Sequence, residues 1–78
     1  MGFIVRAFVM LNVEFGCEKE VLEAVKSVEG VVEAHLVTGI YDVVVVLEAE
    51  GLDDLRNIIS KVRSVDKVKS TLTMIAVE

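Results

Sequence analysis

Apolar residues alternate with other residues along the first part of the chain. From Phe3 to Val13 every second residue is apolar, which is the two-residue period of a β-strand with one buried face. The intervening positions are mixed and comprise Ile4, Arg6, Phe8, Met10 and Asn12. Gly16 then breaks the pattern. The spacing predicts a first strand over residues 3–13 whose second face is not cleanly polar.

Two later stretches change to the period of an α-helix. In the first, from Glu18 to Val28, apolar residues recur every three to four positions. In the second, which begins at Leu52, the same spacing continues to Val62 and is followed by Arg63. Acidic residues stand near both starts and basic residues near both ends, as the helix dipole favours. We therefore expect two amphipathic helices.

Three further stretches are typical of strands, namely Val31–Thr38, Asp42–Ala49 and Val68–Val77. In the second strand, Val32 is expected to share a face with Ala34 and Leu36. Only a short connection separates the second and third strands, which predicts an antiparallel hairpin. The element order is thus β-α-β-β-α-β. Right-handed crossovers place both helices on one side of the sheet, so the predicted fold is an α+β ferredoxin-like sandwich.

The second face of this sheet is too apolar for a monomer. A sheet with helices on one side normally exposes polar residues on the other. No predicted strand has a cleanly polar face, and Val43 to Leu47 is apolar on both. Exposed apolar patches usually mark interfaces, so we expect the sheet to pack on a second copy. A monomer with a poorly solvated face is the alternative.

Size and charge limit the classes of protein that remain. A chain of 78 residues predicts one domain over 1–78, and a core this small usually needs a disulfide, a metal or a partner. Cys17 is the single cysteine, which excludes an internal disulfide and favours a cytoplasmic location. The net charge of −5 argues against direct nucleic-acid contact. No apolar run approaches the roughly 20 residues that a membrane-spanning helix needs.

The sequence offers little for catalysis. His35 is the only histidine and has no serine or cysteine partner in a nucleophile motif. Cys17 lacks the second cysteine of a metal or redox site. The five glycines are dispersed and form no phosphate-binding loop. We therefore expect no catalytic residue, no metal and no cofactor. An enzyme on this fold would need a buried histidine or a pocket inside the protomer, whereas His35 is expected on a strand face.

One hairpin combines groups that could hold a small zwitterion. Gly39 can adopt a positive φ and expose its backbone, and Asp42 can accept hydrogen bonds from an ammonium group. Thr38 and Tyr41 add hydroxyl groups. In the last strand, Thr71 and Thr73 are two residues apart and share a face. The alternative is a hairpin that needs glycine for its turn and aspartate for a local side-chain bond.

Residues 31–46, VVEAHLVTGIYDVVVV, resemble the ligand-binding domain of Lrp/AsnC transcription regulators, also called the RAM domain for regulation of amino-acid metabolism. The resemblance continues through Leu52, Leu55 and Ile59 and reaches Thr71-Leu72-Thr73 in the last strand. It implies the same ferredoxin-like fold and a dimer formed through the sheet face, in a dimeric α/β barrel-type assembly. It further implies octamers of four dimers, with an amino-acid effector bound between dimers.

The resemblance also implies the effector site. Its residues would be Thr38, Gly39, Tyr41 and Asp42 in the hairpin, with Thr71 and Thr73 in the last strand and Ser70 as a neighbour. Asp42 would hold the amino group of the effector.

Full-length family members carry an N-terminal helix-turn-helix domain, whereas this chain begins at the first strand. We therefore expect a stand-alone, non-enzymatic module over 1–78 that regulates transcription or amino-acid metabolism without its own DNA-binding domain. Full-length Lrp/AsnC regulators are possible partners. The alternatives are a ligand-free module that co-assembles with such regulators, or a small dimeric enzyme such as an isomerase or monooxygenase.

Overall fold

The computed structural model describes residues 3–77, and its elements follow the predicted order. They are β1 (Val5–Val13), α1 (Glu18–Lys26), β2 (Val31–Leu36), β3 (Val43–Ala49), α2 (Leu52–Arg63) and β4 (Val68–Ile75). The first strand begins two residues later than predicted and the third strand one residue later, whereas the second strand, the last strand and the first helix each end two residues earlier. Single backbone hydrogen bonds continue past these ends, from Ala76 N–H to the carbonyl of Arg6 at 2.8 Å after β4 and from Val28 N–H to the carbonyl of Val25 at 3.1 Å after α1.

The four strands form one antiparallel sheet in the order β2-β3-β1-β4. The central strand β1 pairs with β3 on one side and with β4 on the other. Ala7, for example, lies opposite both Leu47 and Ile75. This order, with two crossover helices, is the ferredoxin-like fold that the sequence predicts.

The core lies between the sheet and the two helices. Every second residue of β1 and β3 faces the helices, as the two-residue period of a strand requires. The largest fully buried side chains are Val9, Leu11, Val21, Val25, Val43, Val45, Leu47, Leu55 and Val62. Burial of one such side chain contributes about 1.5–3 kcal/mol. The predicted helix spacing is confirmed, because Val21 and Val25 of α1 and Leu55 and Val62 of α2 belong to this set.

The predicted face of β2 is partly wrong because the strand contains a bulge. Ala34 and Leu36 lie opposite Val45 and Val43, on the core side. The register shifts between Val31 and Glu33, so that Val31 takes the core position opposite Leu47. The extra residue, Val32, leaves the pairing and is 48% exposed. Val32 therefore does not share the face of Ala34.

The face of the sheet away from the helices is apolar in its centre. We call it the open face, and its apolar residues are Phe8, Met10, Val44, Val46, Leu72 and Met74. Polar pairs surround this centre. At one end of the sheet Arg6 contacts Glu48, at the other end Asn12 donates to Ser70, and on β2 Glu33 contacts His35. The predicted absence of a cleanly polar face is confirmed.

The turn before β2 depends on a glycine that no side chain can replace easily. Gly30 has a φ of +102°, in the region that favours glycine. A Cβ added there would lie 2.8 Å from Cγ1 of Ile58 and closer still to its Cδ1. Ile58 is itself buried, so a methyl group at residue 30 would require the Ile58 side chain to shift within its packing.

We expect Gly30→Ala to lower the free energy of unfolding by more than the approximately 1–2 kcal/mol that a left-handed backbone costs a non-glycine residue. Gly16→Ala is the matched control, since Gly16 has a φ of +85° but no atom within 4 Å of an added Cβ. Urea unfolding at one protein concentration measures both variants. Equal losses for the two would contradict the packing of Ile58 against Gly30.

Candidate functional site

The predicted effector hairpin is the loop of residues 37–42 between β2 and β3. The backbone N–H of Val37 donates to the carbonyl of Asp42 at 2.9 Å and closes the loop. Gly39 has a φ of +122°, as predicted, and an added Cβ would meet nothing within 4 Å. The glycine is therefore required by the backbone conformation alone. Thr38 is exposed and Ile40 is 83% exposed, so the tip of the loop projects into solvent.

Asp42 attaches this loop to the end of β1. Its backbone N–H donates to the carbonyl of Leu11, and its Oδ2 accepts a hydrogen bond from the backbone N–H of Val13, both at 2.9 Å. The carboxylate is half-buried. Among residues 3–77, no donor is placed within hydrogen-bond distance of Oδ1. The aspartate thus has a structural bond at one oxygen, and its other oxygen has no hydrogen bond from the described residues.

The candidate residues of β4 fall on different faces of the sheet. Thr71 and Thr73 lie opposite Leu11 and Val9 on the helix side, and both are half-buried. Ser70 lies on the open face, where its hydroxyl accepts a hydrogen bond from Asn12 Nδ2 at 3.1 Å. The structure therefore separates Ser70 from the two threonines.

The hairpin and the threonines do not meet within one protomer. Leu11 of β1 lies between Val43 and Thr71, so the two parts are two strand spacings apart, roughly 10 Å. A concave groove of about 540 Å³ does open on the protein, but at the opposite end of the sheet. Any pocket that includes both the hairpin and Thr71 needs atoms from outside this protomer or a rearrangement of the loop.

The other chemistry-bearing residues form pairs rather than a catalytic group. Nε2 of His35 lies 3.1 Å from Oε1 of Glu33 on the surface of β2. Arg6 donates through Nε to Glu48 at 3.2 Å, and this hydrogen bond, with the charge of Glu48, raises the pKa of the guanidinium. In the described part of the chain, no three or more His, Cys, Asp or Glu residues are placed to hold a metal ion. None of the helices described is long and apolar enough to cross a membrane.

Two contacts were not predicted from the sequence, one that positions the hairpin and one at the opposite end of the sheet. The bond from Val13 to Asp42 carries no side-chain signal at Val13, because the donor is a backbone N–H. The pair of Arg6 and Glu48 could have been found, since the two residues lie directly opposite each other once β1 pairs with β3. Opposite charges at facing strand positions are a common stabilising pair.

Comparison with known proteins matches this fold and hairpin to one family. Residues 6–78 match the family model of the Lrp/AsnC ligand binding domain. The chain is 31% identical, over its full length of 78 residues, to the HTH-type transcriptional regulator FL11 of Pyrococcus furiosus. That alignment covers 52% of the regulator, so the chain spans about half the length of the curated relatives that it matches.

Two solved structures of similar length superpose well. The structure titled FFRP-DM1 is 38% identical with a TM-score of 0.88, and the alignment covers 94% of this chain and 99% of that one. The hypothetical protein PHS023 from Pyrococcus horikoshii is 37% identical with a TM-score of 0.87, and the alignment covers 95% of this chain and 90% of that one.

The double role of Asp42 predicts different costs for two substitutions. Asp42→Ala leaves the N–H of Val13 without its acceptor and should lower the free energy of unfolding by about 1–3 kcal/mol. Asp42→Asn retains an acceptor oxygen and should cost less. Asp66→Ala, at an exposed aspartate, is the control. Urea unfolding tests the ranking, and an alanine variant as stable as the asparagine variant would contradict the bond to Val13.

Proposed function

Since the chain belongs to the Lrp/AsnC ligand-binding domain family, we propose that it is a non-enzymatic module that binds an amino-acid effector and oligomerises. Its role would lie in the regulation of transcription, as in the similar regulator FL11, or of amino-acid metabolism, as the family resemblance implies. The observation that carries the proposal is the ordered hairpin with the half-buried Asp42 carboxylate, of which one oxygen is held by Val13.

The groups of the hairpin suit the two charges of an amino acid. Oδ1 of Asp42 would accept hydrogen bonds from the ammonium group, since charge-assisted bonds of this kind are about twice as strong as neutral ones. The carboxylate would bind near Gly39, where the missing side chain allows close approach to the backbone. The hydroxyls of Thr38 and Tyr41 would complete the polar contacts.

The remaining contacts would come from a neighbouring dimer. Thr71 and Thr73 are candidates for this second half of the site, because they lie two strands away from the hairpin of their own protomer. Ser70 would contribute only indirectly, since its hydroxyl is bonded to Asn12 on the other face. Effector binding would then stabilise the assembled state by mass action.

The dimer itself would form through the open face. Its apolar residues, of which only Val46 is already buried within the protomer, would pack against the same residues of a second copy, in a dimeric α/β barrel-type arrangement. The polar pairs around the centre would form the rim of this interface. Four such dimers would make the octamer that the family resemblance implies.

The proposed protein partners are inferred from the net charge of the chain and from its family. The net charge of −5 disfavours direct contact with DNA, so an effect on transcription would require another protein. Full-length Lrp/AsnC regulators, whose ligand-binding domains share this fold, are the proposed partners. This interaction would take place in the cytoplasm.

A second function is favoured by one observation. Because Oδ2 of Asp42 is already bonded to Val13, the hairpin has a structural use for its aspartate without any ligand. The chain would then be an assembly module that joins full-length regulators without binding an effector.

Calorimetric titration against the standard amino acids distinguishes the two functions. We expect at least one amino acid to bind, and Asp42→Asn to weaken that binding at least about tenfold, because it removes a charged acceptor worth about 1.5–3 kcal/mol. The matched control is Asp66→Asn, which removes an exposed charge elsewhere. Absence of binding by every amino acid, with unchanged oligomer size, would support the assembly module instead.

The proposed dimer interface has a separate test. Phe8→Glu introduces a charge into the centre of the open face and should convert the dimer into monomers in analytical ultracentrifugation. Leu52→Glu is the control, because Leu52 is 65% exposed at the start of α2 and lies off the sheet. A Phe8→Glu protein that stays folded and dimeric would place the interface elsewhere.

A further inference from the structure

The groove of about 540 Å³ lies at the end of the sheet opposite the effector hairpin. There β2 begins, β3 ends, and the first turns of α2 pass over the sheet. Its apolar lining consists of Ile4, Gly30, Val32, Ala49 and Ile58. None of these residues belongs to the proposed effector site. The groove and the hairpin of residues 37–42 lie at opposite ends of the strands.

The bulge in β2 accounts for part of this apolar lining. A regular strand would turn Val32 into the core, but the register shift between Val31 and Glu33 leaves Val32 48% exposed beside the groove. Bulges commonly re-aim a side chain toward a binding surface. Ile4, at 65% exposed, contributes a second uncovered apolar side chain. The groove therefore presents apolar surface that the protomer leaves uncovered.

The rim of the groove is acidic. Four carboxylates border it, and Glu48 among them is paired with Arg6. The other three carboxylates belong to Glu29, Glu50 and Asp54, and the groove lining offers them one positive charge, the ammonium group of Lys61. Asp54 accepts the backbone N–H of Glu50 at 3.0 Å, which fixes two of these acidic residues next to each other. The potential at the groove is consequently negative.

We propose that this groove docks an extended, basic segment of another protein, with one or two apolar side chains in the groove and lysine or arginine side chains at the rim. Protein interfaces usually have apolar contacts at their centre and complementary charges at their rim. The sign of the charge disfavours nucleic acid. A small ligand is disfavoured because the polar side chains of the groove lie at its exposed rim and none of them is buried.

This surface goes beyond the proposed function, since it requires neither an effector nor the hairpin. A partner in the groove and an amino acid at the hairpin would bind at opposite ends of the same sheet. The two could therefore be held at the same time.

The test uses a short amidated peptide that alternates lysine with leucine, and a counterpart with glutamate in place of lysine. Titration of the isotope-labelled full chain by NMR locates the binding, and fluorescence anisotropy measures the affinity. We expect the basic peptide to shift the amide signals of residues 29–32, 48–50 and 54–61, and the acidic peptide to leave them unchanged.

Two pairs of variants separate the groove from overall charge. Glu29→Lys with Glu50→Lys should weaken binding of the basic peptide at least about fivefold, as the loss of two rim charges predicts. Glu20→Lys with Glu23→Lys changes the net charge equally on the exposed face of α1 and should alter the affinity less than about twofold. Val32→Thr, which exchanges a methyl for a hydroxyl, should weaken binding without affecting the fold.

Several outcomes would overturn the proposal. They are equal affinity for the two charge-reversed proteins, signal shifts confined to the open face or to residues 37–42, and no binding of the basic peptide at millimolar concentration. Groove signals that move with protein concentration alone would mean that a second copy of the chain occupies the groove. Failure of amino-acid binding in the calorimetric titration has no bearing on these results.

Discussion

Two helices can cover only one face of a four-stranded sheet, and in this chain both faces of the central strands are apolar. The covered face forms the core, in which Val9, Leu11, Val45 and Leu47 are fully buried. On the other face, Phe8, Met10 and Val44 stay partly exposed in the protomer. A small domain with this distribution gains stability by association, because the apolar surface that it still exposes can be removed from water by a partner. The proposed assembly would therefore be a consequence of the same alternation that produces the sheet.

The strand β1 connects this surface with the effector hairpin. Residues at its end, Leu11 and Val13, hold Asp42 through two hydrogen bonds, while Phe8 and Met10 of the same strand belong to the open face. A ligand that binds Asp42 and a neighbouring dimer at once would stabilise the assembly, and by linkage the assembly would raise the affinity for the ligand. The two ends of the sheet are chemically different: the hairpin end offers backbone and hydroxyl groups, and the groove end offers an apolar lining with an acidic rim.

Periodicity was sufficient for the fold. The helix spacing of Val21 and Val25 and the strand alternation of β1 depend on neighbours in the sequence, so each could be predicted locally. The bulge at Val32 could not, because it is defined by the register of β2 against β3, which no local pattern encodes. For the site, the positive φ of Gly39 followed from its residue type and the turn. The structural bond of Asp42 did not, since its donor is the backbone of a residue 29 positions away. Ser70 and Thr71 are adjacent in a strand and therefore point to opposite faces of the sheet, so their separation could have been predicted from the sequence.

The central claim is that effector binding at the hairpin is coupled to assembly. Sedimentation velocity of the wild-type protein, alone and with each standard amino acid at millimolar concentration, tests it most directly. The account predicts that at least one amino acid shifts the population from dimers to a larger assembly, and that the same amino acid leaves Asp42→Asn dimeric. A distribution of sizes that no amino acid changes, or a shift that persists fully in Asp42→Asn, would contradict the account.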